Sequence, residues 1–422
     1  MRSILLAAAV VGLVNFFPSG LIKAGDWPQI LGPTRNGIAQ NESIADSWPN
    51  SGPEFVWDKD VGDGFAGVSV SQSVAVLFHR VGDNEVAEGL NSKTGEKIWS
   101  VAFPTEYVPS FNPDAGPRAA PVIQDDLVYL YGARGNLSCI QLSDGMKVWQ
   151  RDTYADFNSK RPSRGEPAEG YFGFASSPIV EGDKLLLNVG GSGKEAGIVA
   201  FDRKTGKTLW TATDERASYS SPVAATIDGQ RHIVFATRLK VVSVDPANGR
   251  VLFEFPFGKL GPAVTAANPL VMGNSVFITG SYQFGAVLAR AGHSGSVQVW
   301  SSDEILSSQY TTSIAHEKML FGIHGRQDSA PAELRCVNPI TRQVIWKESD
   351  FGYATMILAD NKLLIMKTDG ELILAAADTQ KYRELDRARL FDGRATTRAL
   401  PALSNGLFYV RDGKTLKCFD LK

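Results

Sequence analysis

One phrase recurs along this chain and limits what it can fold into: a β-rich run, a tight polar turn, and a tryptophan four residues after the glycine of that turn. It reads Leu90-Asn91-Ser92-Lys93-Thr94-Gly95-Glu96-Lys97-Ile98-Trp99, then Ile140-Gln141-Leu142-Ser143-Asp144-Gly145-Met146-Lys147-Val148-Trp149, then Phe201-Asp202-Arg203-Lys204-Thr205-Gly206-Lys207-Thr208-Leu209-Trp210. Looser copies end at Phe253, Trp300 and Trp346. Successive aromatic residues lie 50, 61, 43, 47 and 46 positions apart, close to the roughly 40–50 residues of a four-stranded propeller blade. Within a unit, β-branched and aromatic runs divided by Gly, Asp and Asn predict strands over 120–123, 127–131, 137–141 and 147–150.

The chain ends supply the blade count. Residues 400–403, 407–411 and 416–420 read as three strands with no fourth, whereas Glu54-Phe55-Val56-Trp57-Asp58-Lys59 reads as an orphan fourth strand before the first full unit. Pairing the two closes a ring and leaves no sheet open at its ends. Outer strands then fall near Trp57, Trp99, Trp149, Trp210, Phe253, Trp300, Trp346 and Leu385. The expectation is an all-β, eight-bladed β-propeller of four-stranded antiparallel blades, its ring closed by an N-terminal strand that completes the C-terminal blade. Trp57, Trp99, Trp149, Trp210, Trp300 and Trp346 are expected to dock one blade on the next, each indole N–H on a backbone carbonyl. The Thr-Gly turns supply the positive φ of a tight hairpin.

Three segments follow along the chain. Residues 1–24 read as a secretory signal peptide: Arg2 precedes an apolar run from Ile4 to Val14 that is too short to span a bilayer and breaks at Pro18-Ser19-Gly20. Residues 25–53 form an N-terminal extended segment, and 54–422 the propeller. Cleavage after Ala24 would remove Arg2 and Lys23 and shift the formal net charge from −2 to −4. The chain is thus expected to be exported, periplasmic or secreted, with no transmembrane segment after cleavage. Near-neutral charge without a basic stripe argues against nucleic acid. The three cysteines, Cys139, Cys336 and Cys418, occupy equivalent third-strand positions in separate blades, too far apart for a disulfide, and are expected to be buried thiols.

The Asp-x-x-Thr-Gly-x-x-x-Trp phrase resembles the repeat of pyrroloquinoline-quinone (PQQ)-type β-propellers, a superfamily that includes quinoprotein alcohol dehydrogenases and the scaffold propeller of outer-membrane barrel assembly. The run Asp26-Trp27-Pro28-Gln29-Ile30-Leu31-Gly32-Pro33-Thr34-Arg35-Asn36-Gly37, with Trp48-Pro49 and Gly52-Pro53 after it, is similar to a subgroup of exported bacterial propellers. In the dehydrogenases that the repeat resembles, the quinone lies on the ring axis against a disulfide between adjacent cysteines, with Ca²⁺ beside it. No two cysteines here are adjacent, and no spaced Asp cluster of the Ca²⁺ type appears. No cofactor is therefore expected; PQQ and Ca²⁺ belong to an alternative reading in which the quinone site is remodelled to oxidise an alcohol or sugar.

Other chemistry finds little support. The five histidines show no zinc-site spacing, and no nucleophile elbow or Walker loop is present. Propeller geometry instead points to one face. The long connections 103–117 and 153–171, and the second-to-third-strand loops 190–197 and 325–333, should crowd a single rim, where binding residues usually sit. Residues at the starts of inner strands should face the funnel inside that rim: Arg118, Phe174, Tyr219, Asn268, Tyr310, Tyr353 and Arg398. Arginines among tyrosines suit a small anionic or sugar-like ligand or an envelope protein at this long-loop face. Filling of the channel by the same side chains is the plainer alternative. The expected function is a non-catalytic binding or assembly scaffold of the cell envelope, with no metal.

Overall fold

In the computed structural model, residues 25–111, 114–159, 170, 172–192, 195–292, 295–393 and 396–422 are described. The expected signal peptide and most of the charged part of the 151–170 insertion lie outside these residues. The described chain forms 32 strands in eight four-stranded antiparallel sheets. Seven blades run consecutively, over residues 69–104, 122–152, 179–212, 223–256, 270–302, 314–348 and 354–389. The eighth joins Glu54–Asp60 to Thr415–Asp420, Leu407–Arg411 and Ala402–Ser404, so the first strand of the chain is the outermost strand of the last blade. One four-residue helix, Thr153–Asp156, is capped by the Asp152 carboxylate, which accepts the Ala155 N–H at 3.0 Å.

Each outer strand carries a bulge, and the bulge explains why the tryptophan sits where it does. In the first blade Gly89 pairs with Trp99 and Leu90 with Lys97, leaving Ile98 as the extra residue. The same irregularity recurs in every other blade. A bulge breaks the two-residue alternation and re-aims the next side chain: Ile98 is 50% exposed whereas Trp99 is 7% exposed. The indole thus turned inward donates to a carbonyl in the turn of the following blade. Trp57 bonds Ser92 O at 3.1 Å, Trp99 bonds Leu142 O at 2.7 Å, Trp149 bonds Arg203 O at 3.1 Å and Trp210 bonds Pro246 O at 3.2 Å. Trp300 bonds Pro339 O at 2.8 Å and Trp346 bonds Asp378 O at 3.1 Å.

The turn glycine has two reasons to be glycine. Gly95 has φ +73°, and a Cβ on it would stand 2.6 Å from the Trp57 ring; Gly145 and Gly206 face Trp99 and Trp149 in the same way. The seventh blade differs, because Leu385 is itself the bulged residue and Asp386 holds the position opposite Leu374. Trp48, from the N-terminal segment, packs on the hydrophobic cluster that includes residues of blades seven and eight, and its main-chain N–H reaches Asp386 Oδ2 at 2.5 Å.

That N-terminal segment is more than a lead-in. Trp27 exchanges two 2.8 Å main-chain bonds with Val70 of blade one, and Pro28 O accepts the Ile123 N–H of blade two at 2.7 Å. Ala39 and Gly37 bond Leu358 of blade seven at 2.8 and 2.9 Å, and the Glu42 carboxylate accepts the N–H groups of Asn405 and Gly406 at 2.7 Å each. These partners belong to four contiguous blades, seven, eight, one and two, so residues 27–42 run along the hairpin end of their inner strands; the crossing of the axis is made by the Arg35 side chain. Arg35 reaches the inner-strand starts of blades three and four, donating to Ser177 O at 3.3 Å, Pro222 O at 3.0 Å and Pro178 O.

Candidate functional site at the channel mouth

The rim opposite the N-terminal crossing gathers long loops, as far as they are described. Ser110 meets Gly170, the Phe111 ring packs edge-on against Phe172 at 5.8 Å, and Asn158 bonds Ser192 at 3.0 Å. Inside the rim the main chain around Gly116 is fixed first. Asp114 accepts the N–H groups of Gly64 and Gly116, both at 3.0 Å, and Pro117 O accepts those of Phe65 and Ala66 at 2.9 and 3.0 Å. Arg118 then folds back on its own loop, donating to Gly116 O at 2.8 Å and Asp114 O at 2.9 Å.

The result is a cationic and aromatic mouth. The Arg118 guanidinium lies 5.4 Å from the Phe65 ring centre and 5.8 Å from that of Phe172, and the Arg398 guanidinium also lies 5.4 Å from Phe65, within the range of cation–π attraction. Arg398 Nε and Tyr310 Oη both donate to Gln327 Oε1 at 3.0 Å. Tyr219 packs edge-on against Phe172 at 5.6 Å. Burial pulls Arg118 below the ordinary guanidinium pKa and the charge of Arg398 acts in the same direction, while Tyr107, Asp114 and Tyr219 oppose it. Just behind, the buried Glu85 carboxyl accepts the Ala133 N–H at 2.7 Å and is pushed up to about 7 by burial, against the pull of that bond and of Arg80 and Arg118.

Of the seven residues expected at the funnel, Arg118, Tyr219, Tyr310 and Arg398 are partly exposed at this mouth. Phe174 is buried against Tyr131 and Tyr154. Tyr353 is buried beneath Tyr310, with ring centres 4.5 Å apart, and its hydroxyl accepts the N–H groups of Tyr310 and Thr311 at 2.7 and 3.1 Å. Asn268 belongs to a belt between blades: Ser177 N–H donates to Ser221 Oγ, Ser221 N–H to Asn268 Oδ1 and Asn268 N–H to Thr312 Oγ1, at 2.9, 2.8 and 2.9 Å. Reasoning from sequence missed Phe65, Phe172, Gln327 and Arg35. The belt did leave a trace, the recurring Ser-Pro or Asn-Pro before inner strands at 177–178, 221–222 and 268–269.

A calcium-bound quinone asks for a cluster of oxygen ligands including carboxylates, and the mouth residues do not fit that demand. Asp114 is committed to main-chain N–H groups and lies 3.9 Å from Arg118, while Asp328 pairs with Arg326 at 2.6 Å. Among the described residues no group of three or more His, Cys, Asp or Glu side chains could hold a metal ion. The three cysteines are buried free thiols, pushed up to about 12 by burial.

Fold and repeat together define an eight-bladed propeller of the PQQ-like repeat class. Residues 82–348 match the family described as outer membrane protein assembly factor BamB, and the chain belongs to that family. It is also 24% identical over 196 residues to the quinoprotein alcohol dehydrogenase PedH of Pseudomonas putida, a match covering 44% of this chain and 30% of that relative's length. Among solved structures it is similar to BamB from Moraxella catarrhalis, with TM-score 0.60 and 15% identity, covering 87% of this chain and 97% of the other. The quinohemoprotein alcohol dehydrogenase ADHIIG from Pseudomonas putida HK5 gives the same TM-score at 12% identity, covering 94% of this chain and 80% of that one. Identities this low show the shared fold. No helix among the described residues is long and apolar enough to cross a membrane.

Proposed function

We propose that this chain is an exported, non-catalytic binding propeller of the cell envelope that captures an anionic group of a partner protein or glycan at the channel mouth. The observation that carries this reading is the placement of two guanidiniums, Arg118 and Arg398, over one Phe65 ring. Arg118 lends charge while its terminal nitrogens hold its own loop, and Arg398, bonded to Gln327 through Nε, keeps its terminal nitrogens for pairing with a carboxylate or phosphate. Envelope residence is supported by the leader-like residues 1–24 and by the description of the family. The oxidoreductase reading draws on the partial likeness to PedH.

Two measurements separate these readings. Titration of the mature protein with PQQ, with and without Ca²⁺, is expected to give no heat and no dye reduction with alcohols or sugars; binding with turnover would overturn the scaffold reading. A photoreactive residue in place of Gln327 is expected to give a discrete adduct in intact cells that disappears when Arg118 and Arg398 are both changed to alanine. Adducts indifferent to that double change would remove the mouth from the proposal.

A further inference from the structure

A second polar site lies on the axis below the mouth, where Arg35 meets the inner strands. Arg35 is 1% exposed, and no carboxylate of the described residues forms an ion pair with it. Its four bonds go to neutral acceptors: Gln29 Oε1 at 2.7 Å and the carbonyls of Ser177, Pro178 and Pro222. Burial alone pulls its pKa to about 9, so the cation persists at neutral pH. The segments leading into the inner strands of blades three and four, and into that of the neighbouring blade five, also carry polar groups with no hydrogen-bond partner in the protein: Ser176 Oγ, Ser177 Oγ and Ser220 Oγ in the first two and Asn268 Nδ2 in the third. All four residues are at most 3% exposed. Asn268 is held against this ring, since its Oδ1 accepts the Ser221 N–H one residue before Pro222.

Two costs therefore fall on neighbouring residues around Ser177 and Pro222: a buried charge with no opposite charge among the described residues, and buried donors with no acceptor there. Water would answer the second and leave the first. A small monovalent anion answers both, because it accepts from hydroxyl and amide donors and neutralises the guanidinium through the low-dielectric interior, without needing to touch it. We propose that Arg35, Ser177, Ser220 and Asn268 form a buried axial site for a small inorganic anion of the halide class. The site binds N-terminal segment and blades into one unit, and it is separate from the ligand surface at the mouth.

Bromide is the probe. Crystals of the mature chain grown in sodium bromide are expected to show a bromine anomalous peak on the axis within contact distance of Asn268 Nδ2 or the Ser177 and Ser220 hydroxyls. Peaks confined to the outer surface, with only waters at these donors, would overturn the site. In solution the thermal midpoint is expected to rise saturably with bromide, relative to gluconate at matched ionic strength. Asn268→Asp places an internal carboxylate where the amide stands, next to Ser221 and the Pro222 carbonyl that Arg35 holds, and should abolish that rise while the chain stays folded. Ser220→Ala, which removes one donor, should weaken apparent bromide affinity about tenfold. An unchanged bromide response in both variants would sink the proposal whatever happens at Arg35 itself.

Discussion

The two ends of the axial channel both use arginine, in opposite ways. At the mouth, Arg118 and Arg398 are partly exposed, lie on aromatic faces, and have Asp114 and the buried Glu85 carboxyl nearby. At the crossing, Arg35 is sealed, bonded to main-chain carbonyls of two blades and paired with no carboxylate among the described residues. The difference teaches what each end is for. Arg118, like Arg35, spends its terminal nitrogens on main-chain carbonyls, whereas Arg398 at the rim is bonded through Nε alone and can take a further partner; a guanidinium buried among carbonyls fixes a segment in place. The crossing serves closure, and exchange at the mouth is what the proposed function asks of Arg398.

The largest expected effect breaks the closure. Arg35→Met keeps the length of the side chain but strands the carbonyls of Ser177, Pro178 and Pro222, so unfolding free energy should fall by about 3–5 kcal/mol. Urea unfolding reads it directly. A loss under about 1 kcal/mol, the scale of an exposed ion pair, would erase the distinction between the two ends.

Next is Glu85, the carboxyl behind the mouth. Its folded pKa, about 7, lies above the ordinary value of 4.5. The folded state therefore holds the proton more tightly, and the stability this confers below pH 4.5 is lost as pH rises to 7, with no further change above. Glu85→Gln has no proton to lose and its carbonyl can still accept the Ala133 N–H. Its stability relative to the native chain should grow across pH 4.5–7 to at most about 3 kcal/mol and then level off. The buried His79 and the partly buried His324, both lowered to about 4 by burial, titrate in the opposite sense but in both proteins alike. A difference that stays flat with pH would show that Glu85 is not buried as described.

How far this could be read from sequence depends on how local each feature is. The blade count was legible because Gly95 and Trp99, and their counterparts, repeat within a few residues of one another. The bulge at Ile98 was not, since two adjacent apolar residues on a strand give no sign which of them turns inward. Leu385 marks the same limit: the period puts it on the outer strand, where it lies, yet the position opposite Leu374 falls to Asp386. The axis crossing was invisible for a different reason. Arg35 finds its acceptors 142, 143 and 187 residues away, and nothing local in residues 25–53 announces such distant contacts. At the mouth, strand starts could be located, but whether a side chain there faces the funnel, as Arg118 does, or a neighbouring blade, as Phe174 does, depends on packing.

A smaller effect tests whether the belt below the mouth is structural. Ser221→Ala removes the acceptor of the buried Ser177 N–H and should cost about 1–2 kcal/mol, with partner capture at the mouth unchanged.

The smallest effect on stability is expected at the mouth itself, and this sharpens the comparison most. Arg398→Gln gives up its place over Phe65 and its 3.0 Å bond to Gln327, but the residue is only partly buried and water can take over its partners. Its unfolding midpoint should therefore move by no more than about 1 kcal/mol, in the range of exposed polar contacts. Capture of an anionic partner, by contrast, should weaken about tenfold or more, because a bidentate charged donor is lost where the ligand would be desolvated. Arg398→Lys separates charge from geometry: if a compact ammonium restores capture, the mouth works as a field, and if it does not, the flat guanidinium on Phe65 is what recognises the ligand.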